Sequence, residues 1–390
     1  MSMKSIREAD IKGKRVLARV DLNVPLRDGV VTDDTRIQAI LPNLKLMIEK
    51  GARVVLVAHL GRPKGERSEK FSLAPVAKAL DALIDTKVDF FDQTVGEAAE
   101  SRVNELKDGE VLLLENVRFH VEEKKNDPEF SKKLAKLADV YVGDAFGTLH
   151  RAHASVVGVT EHLPSYAGLL VEREIQAFEK LVGDKLEHPF VVILGGSKVS
   201  DKTPLIENLV SKTDRFLVGG AMAFCFFKAQ GKEIGKSKVE EDAVEEAKRL
   251  LEAYGDKILL PTDVVVADKL EEGVDFKIIQ ADEIGPKQAG FDIGPDSIEA
   301  FRTELMAAKT ILWNGPMGVF EIPPFDAGSR GVGTAVADSE GFSVVGGGDT
   351  AAAVNKFDLD DDMGHVSTGG GASLEYMSGK TLPGLKALES

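Results

Sequence analysis

At 390 residues the chain exceeds what one ordinary core fills and suffices for two, each able to bury most of its apolar surface. With 43% hydrophobic and 29% charged residues, and 38 glycines in no three-residue repeat, its composition is neither disordered nor fibrous. A formal net charge of −15 disfavours nonspecific association with nucleic acid or an anionic membrane, so an anionic ligand needs a local basic pocket.

The first ten residues, Met1 to Asp10, carry charges in place of a long apolar core, unlike a secretory signal. No apolar run approaches the roughly 20 residues of a membrane span. A lone cysteine, Cys225, excludes an intrachain disulfide framework and a cysteine-based zinc cluster. Its apolar neighbours, Met222 to Phe227, make buried filler the expected role. A cytoplasmic protein is expected, with neither nucleic acid nor membrane as partner.

The first predicted strand is Arg15 to Val20, followed by Asp21-Leu22-Asn23-Val24-Pro25, where short polar side chains orient a hydroxyl or carboxylate, or simply form a turn. Arg53 to Ala58 is the second and runs into His59-Leu60-Gly61-Arg62; apolar spacing of three and four then predicts a helix over Ala74 to Leu83. Val111 to Leu114 leads to Glu115-Asn116-Val117-Arg118, and a helix is predicted from Pro128 to Ala138. Val140 to Val142 precedes Asp144-Ala145-Phe146-Gly147 and His150-Arg151-Ala152-His153. Over Glu172 to Val182, Ile175, Phe178, Leu181 and Val182 share one helical face, with Gly183 as C-cap, which predicts a single connecting helix.

Beyond it, strands are predicted at Phe190 to Leu194, Arg215 to Val218, Asp263 to Val266, Thr310 to Trp313 and Ser343 to Val345, with a helix at Ala243 to Tyr254. Here the strand ends are rich in glycine: Gly195-Gly196-Ser197-Lys198, Gly219-Gly220, Gly315-Pro316-Met317-Gly318, Gly346-Gly347-Gly348-Asp349-Thr350, and later Gly369-Gly370-Gly371. Asp358 to Asp362 reads as a solvated acidic loop, and Ser373 to Leu388 as a final amphipathic helix. Repeated βα units of this kind predict an α/β fold of two doubly wound, mostly parallel-sheet domains joined by a hinge helix. Ligands in such folds gather at the carboxyl ends of the strands.

The first half collects cations at those ends: Arg36, His59, Arg62, Arg118 and Arg151. Planar guanidinium groups suit phosphate and carboxylate, although any one arginine alone reads equally well as half of a surface ion pair. The second half collects exposed backbone, because glycine permits positive φ and lets N–H groups approach an anion at a helix N-terminus. Asp349, just before Ala351-Ala352-Ala353, can reach a phosphate-bound Mg²⁺. Gly231 to Ser237 is one residue short of a P-loop, and His150 with His153 lacks a third metal ligand. No Gly-x-Ser-x-Gly elbow is present. The inventory suits phosphoryl transfer, which needs positioning and charge neutralisation more than a covalent nucleophile.

Four motifs occur together in order: Arg19 to Pro25, His59 to Pro63, Glu115 to Phe119 and Trp313 to Pro316; Gly195 to Lys202, Gly346 to Thr350 and Ser367 to Ser373 complete them. By these the chain closely resembles the phosphoglycerate kinase family from end to end. The resemblance implies reversible transfer between 1,3-bisphosphoglycerate with Mg-ADP and 3-phosphoglycerate with Mg-ATP; the need for the two halves to move freely favours a monomer. It implies that Asp21, Asn23, Arg36, His59, Arg62, Arg118 and Arg151 hold 3-phosphoglycerate, with Arg36 also facing the transferred group. Gly195, Lys198, Lys202, Asn314, Gly347, Gly348, Asp349 and Thr350 would serve the nucleotide phosphates, Asp349 binding Mg²⁺. Gly294 and Glu321 would line the nucleoside site, and Gly371 the transition state's equatorial oxygens. The expected domains are 1–171, completed by 373–390, for the acid and 184–372 for the nucleotide, joined by 172–183. Hinges are expected near Glu172 and near Gly369 to Ser373. Pro204 departs from the usual pattern; the first turn of a helix tolerates it, with Thr203 as cap.

Overall fold

The computed structural model describes residues 3–389. Contacts divide the chain into two compact units. The divisions fall between Ile175 and Gln176 and between Lys380 and Thr381, so the last residues rejoin the first unit.

In the first unit the strands are β1 (Arg15–Val20), the hairpin β2 (Leu26–Arg27) and β3 (Val30–Val31), then β4 (Arg53–Val57), β5 (Val88–Phe91), β6 (Val111–Leu114), β7 (Val140–Asp144) and β8 (Ser165–Ala167). Its helices are α1 (Thr35–Glu49), α2 (Ala74–Asp81), α3 (Glu97–Asn104), α4 (Val121–Lys124) and α5 (Pro128–Ala135), with α6 (Leu169–Val182) leaving it. Six strands form one parallel sheet in the order β5-β6-β4-β1-β7-β8. Val16, Ala18 and Val20 of β1 cluster with Ile37, Ile40, Leu44 and Met47 of α1, and Leu17 on the opposite face is also buried. Burial on both faces is what helix-covered parallel strands require, and each such branched side chain contributes about 1.5–3 kcal/mol.

In the second unit α7 (Thr203–Leu209), α8 (Ala223–Ala229), α9 (Val244–Tyr254), α10 (Pro295–Ala307), α11 (Ala327–Asp338), α12 (Gly348–Lys356) and α13 (Gly371–Met377) accompany a second parallel sheet. Its strands are β9 (Phe190–Leu194), β10 (Arg215–Val218), β11 (Ile258–Leu259), β15 (Thr310–Asn314), β16 (Phe342–Gly346) and β17 (His365–Val366), ordered β11-β10-β9-β15-β16-β17. Trp313, Phe301 and Val332 are fully buried in its core. A separate antiparallel sheet, ordered β13-β12-β14, is made by β12 (Asp263–Ala267), β13 (Phe276–Gln280) and β14 (Ala289–Ile293). The α/β class and the two mostly parallel sheets agree with the sequence reading. The strand at Asp263 does not join the parallel set; it is the centre of the separate sheet, paired antiparallel with β13 on one side and β14 on the other.

Three further readings change. The segment from Ser373 is two helices, α13 and α14 (Pro383–Leu388), broken where Gly379 turns to φ +77°. Gly183 does not take the left-handed C-cap conformation; a Cβ there would lie 2.5 Å from the Glu179 carbonyl, so close approach explains the glycine. The N-cap of α7 is Lys202, not Thr203, which leaves Pro204 inside the first turn.

Strand-borne carboxylates anchor three helix starts. Asp144 accepts from Leu170 N at 2.8 Å and Val171 N at 3.3 Å at the start of α6. Asp263 accepts from Ser297 N at 2.8 Å in α10, and Asp292 from Gly328 N at 2.6 Å in α11. Each carboxylate satisfies donors that the first helical turn leaves without a carbonyl partner.

Candidate active site

In each parallel sheet the strand order reverses beside the first strand of the unit, at β1/β7 and at β9/β15. Chains leaving neighbouring strands there turn to opposite faces and open a crevice. Several of the predicted site residues follow the strands that flank these switch points.

At the first, Asp21 and Asn23 follow β1. Asp21 accepts from Arg36 Nη1 at 3.0 Å, and Asn23 Oδ1 accepts from Gly61 N at 2.8 Å. Arg36 stands in the first turn of α1, not at a strand end. Arg118, 4% exposed, donates from Nη1 to the Gly61 carbonyl at 2.8 Å, and its buried Nε and Nη2 have no hydrogen-bond partner in the protein. Burial, together with the like charges of Arg19 and Arg151, pushes its guanidinium down to about 10. Arg151 donates from Nε to His150 Nε2 at 2.9 Å, and Arg62 is exposed.

His59 is buried, and burial with four surrounding arginines, Arg19 first, holds its pKa well below the usual value. Arg19 Nη2 lies 2.9 Å from His59 Nδ1. A guanidinium can only donate, so Nδ1 accepts and the neutral ring carries its proton on Nε2. Cations crowded without a full set of counter-charges form a prepared receptor for a multiply charged anion.

The layer beneath was not legible in the sequence. Arg19, 1% exposed within β1, donates from Nε to Ser155 Oγ at 2.9 Å, and that hydroxyl donates to Glu123 Oε1 at 2.7 Å. Burial opposes ionisation of Glu123, but His153, Arg19 and Ser155 hold it below the usual carboxylate range. His153 Nδ1 stands 3.6 Å from Glu123, so this histidine faces a carboxylate.

At the second crevice, Lys202 Nζ donates to Asn314 Oδ1, and Asn314 Nδ2 donates to the Gly346 carbonyl at 2.9 Å. Gly315 N donates to Thr350 Oγ1 at 2.7 Å, tying the loop after β15 to α12. Burial pushes Lys202 down to about 8 against the opposing charges of Asp201 and Asp349. Lys198 and Asp349 are exposed. Gly347, at φ +93°, is the N-cap of α12, and nothing lies within 4 Å of a Cβ built on Gly348, so the helix N-terminus is open to an anion. Gly195 must be glycine because its Cβ would meet the Pro316 carbonyl at 2.1 Å.

Gly294, Glu321 and Gly371 stand apart from these two groups in the contacts they make. Gly294 caps α10, where a Cβ would strike the Asp263 carboxylate at 2.1 Å. Glu321 is exposed, and its carbonyl accepts from Lys356 Nζ at 3.3 Å. Gly371 begins α13 after Gly370 at φ +52°. Among the described residues no group of three or more His, Cys, Asp or Glu is placed to hold a metal, and no helix is long and apolar enough to cross a membrane. Cys225 is buried as expected, and its Sγ accepts a hydrogen bond from Glu240 N at 3.3 Å.

A family model described as phosphoglycerate kinase matches residues 6–380. A phosphoglycerate kinase of Thermosipho africanus is 52% identical over 395 residues, covering 100% of this chain and 98% of its own. One from Thermus thermophilus is 54% identical over 392 residues, covering 99% and 100% respectively. The solved phosphoglycerate kinase of Coxiella burnetii superposes with a TM-score of 0.90 at 41% identity, covering 100% of this chain and 99% of its own.

Proposed function

The chain belongs to the phosphoglycerate kinase family, and from that premise we propose a division of labour between the two crevices. The enzyme catalyses reversible phosphoryl transfer between 1,3-bisphosphoglycerate with ADP and 3-phosphoglycerate with ATP, the ATP-forming step of lower glycolysis.

In our reading, Asp21, Asn23, Arg36, His59, Arg62, Arg118 and Arg151 hold the acid. The observation that carries this is the buried pair of unpaired Arg118 donors beside neutral His59. Nε2–H of His59 and the Arg118 fork supply directed donors, and Arg36, bound to Asp21, turns its remaining donors to the group in transfer. Gly195, Lys198, Lys202, Asn314 and the α12 start from Gly347 to Thr350 hold the nucleotide phosphates, with Gly294 and Glu321 toward the nucleoside. Gly371 offers its amide to the equatorial oxygens.

Asp349, one exposed carboxylate at an anion-receiving helix start, fits Mg²⁺, which is commonly held by one or two carboxylates plus substrate phosphates. When bound, Mg²⁺ neutralises phosphate charge on the nucleotide. Residues 1–171 form the acid domain and 184–372 the nucleotide domain, with 172–183 as connector; the returning segment, expected to complete the acid domain from 373, does so from Thr381, since 373–380 stay with the second unit. Closure brings donor and acceptor in line and excludes water. The working form is a cytoplasmic monomer. The test is a coupled assay supplying ATP, Mg²⁺ and either 3-phosphoglycerate or acetate. Turnover is expected with 3-phosphoglycerate and Mg²⁺; turnover with acetate instead would overturn the acceptor assignment, and full activity in excess chelator the metal assignment.

A further inference from the structure

The loop from Gly195 to Lys202 carries both lysines assigned to phosphate, and its two ends are fastened differently from its middle. At the start, Gly196 N donates to the Pro316 carbonyl at 2.9 Å; at the end, Lys202 N and Thr203 N donate to the Val199 carbonyl at 2.9 and 3.0 Å. Midway between the lysines, Ser200 donates from its backbone N to Glu240 Oε2 at 3.2 Å and from its hydroxyl to Glu240 Oε1 at 2.5 Å.

Glu240 comes from a segment 40 residues on, just ahead of α9, and its own backbone is held on both sides by the buried Cys225 of α8. Its N donates to Sγ at 3.3 Å, and the thiol lies 3.7 Å from its carbonyl. One carboxylate thus grips one residue of the phosphate loop with both oxygens, from a backbone tied to α8. Bonds to an ionised acceptor are about twice as strong as neutral ones, and a bidentate grip fixes direction as well as distance. Burial works against the charge, but the Ser200 and Val199 bonds and the nearby Lys198 hold Glu240 below the usual carboxylate range.

We propose that Glu240 is a positioning residue for nucleotide binding: through Ser200 it sets the path of the loop, so that Lys198 and Lys202 meet the phosphates together. The inference rests on the assignment of those lysines to the nucleotide. It predicts an effect confined to one substrate, since the acid is assigned to residues of the other unit.

Steady-state kinetics and titration calorimetry with Mg-ADP on the full chain test it. Glu240→Ala is expected to raise KM for Mg-ATP and Kd for Mg-ADP about tenfold, the scale of one lost charge-assisted bond. KM for 3-phosphoglycerate should stay within about twofold, the size of ordinary scatter between surface variants. Glu240→Gln should recover part of the loss, because its amide oxygen still accepts, and it serves if the alanine variant fails to fold. Ser200→Ala, which keeps the backbone bond, should cost less than Glu240→Ala, and the two combined no more than Glu240→Ala alone. An unchanged Kd for Mg-ADP in Glu240→Gln and Glu240→Ala, or equal changes in both substrates' KM values, overturns the proposal. Lys198→Ala in the same assays separates the two levels: if it too leaves nucleotide binding unchanged, the underlying assignment falls; if it weakens binding while the Glu240 variants do not, only the positioning role falls.

Discussion

Arg36 is held by a single carboxylate, that of Asp21, while part of its surface remains open to solvent. An arginine so placed can neutralise charge that develops during transfer at little reorganisation cost. Arg36→Ala is expected to lower kcat by about 10³ with a smaller change in the KM for 3-phosphoglycerate, as for other arginines that act on phosphoryl transition states. An unchanged kcat in steady-state assays would remove Arg36 from the chemistry. Lys202 carries a pH prediction. Its folded pKa is pushed down to about 8, so it is the anion-binding cation below that pH and neutral above it. The kcat/KM for Mg-ADP should therefore fall as pH rises through about 8, and in Lys202→Arg, whose charge persists, that alkaline limb should vanish from the smaller residual activity. A wild-type profile flat from about pH 7 to 9.5 would contradict it. The cations were readable because arginine and histidine recurred beside predicted strand ends in an acidic chain. Arg19 was not, because its partners His59 and Ser155 stand 40 and 136 residues away.

The start of α6 shows how an element is held by a side chain that belongs to another. Asp144 ends β7, and its Oδ1 accepts the first N–H groups of the helix, while buried Oδ2 has no hydrogen-bond partner. Burial raises its pKa to about 7, with the Leu170 and Val171 bonds opposing and Glu172 adding to the rise. A carboxyl whose folded pKa lies above its unfolded value favours the folded state when protonated. That advantage is complete below the unfolded value near 4 and is lost as pH climbs through about 7. The slope is on the order of 1.4 kcal/mol per pH unit inside that window. Asp144→Asn keeps an acceptor for Leu170 and cannot ionise, so thermal unfolding between about pH 5 and 8 should show a flatter dependence than in the parent. Equal slopes would place the titration elsewhere. The helix itself was legible from the apolar spacing of Ile175, Phe178, Leu181 and Val182, but its start at Leu169 depends on a carboxylate that local pattern does not show.

For the whole molecule, the two crevices belong to separate compact units, and the connecting α6 contains one of the two divisions. If each unit holds its own substrate, transfer requires their approach. Small-angle scattering with both ligands bound should give a smaller radius of gyration than without ligands, with either ligand alone producing less of the change. Identical curves in all four conditions would count against closure.

The sequence by itself determined the α/β class, the central strands of both parallel sheets, though not β5, β8, β11 or β17, and the residue types proposed for both half-sites. Parallel strands covered on two faces need unbroken apolar runs, and anion-binding turns need arginine or glycine where such runs end. Only the tertiary structure decided which groups are paired and which are left with unpaired donors. The His59 proton sits on Nε2 because a buried Arg19 faces Nδ1, and the strand at Asp263 pairs antiparallel with both its neighbours in a separate sheet. It likewise decided that Glu240 grips Ser200 and that Asp144 starts α6. Such facts depend on contacts between residues far apart in the chain, where burial removes the competing water and makes a single bond decisive.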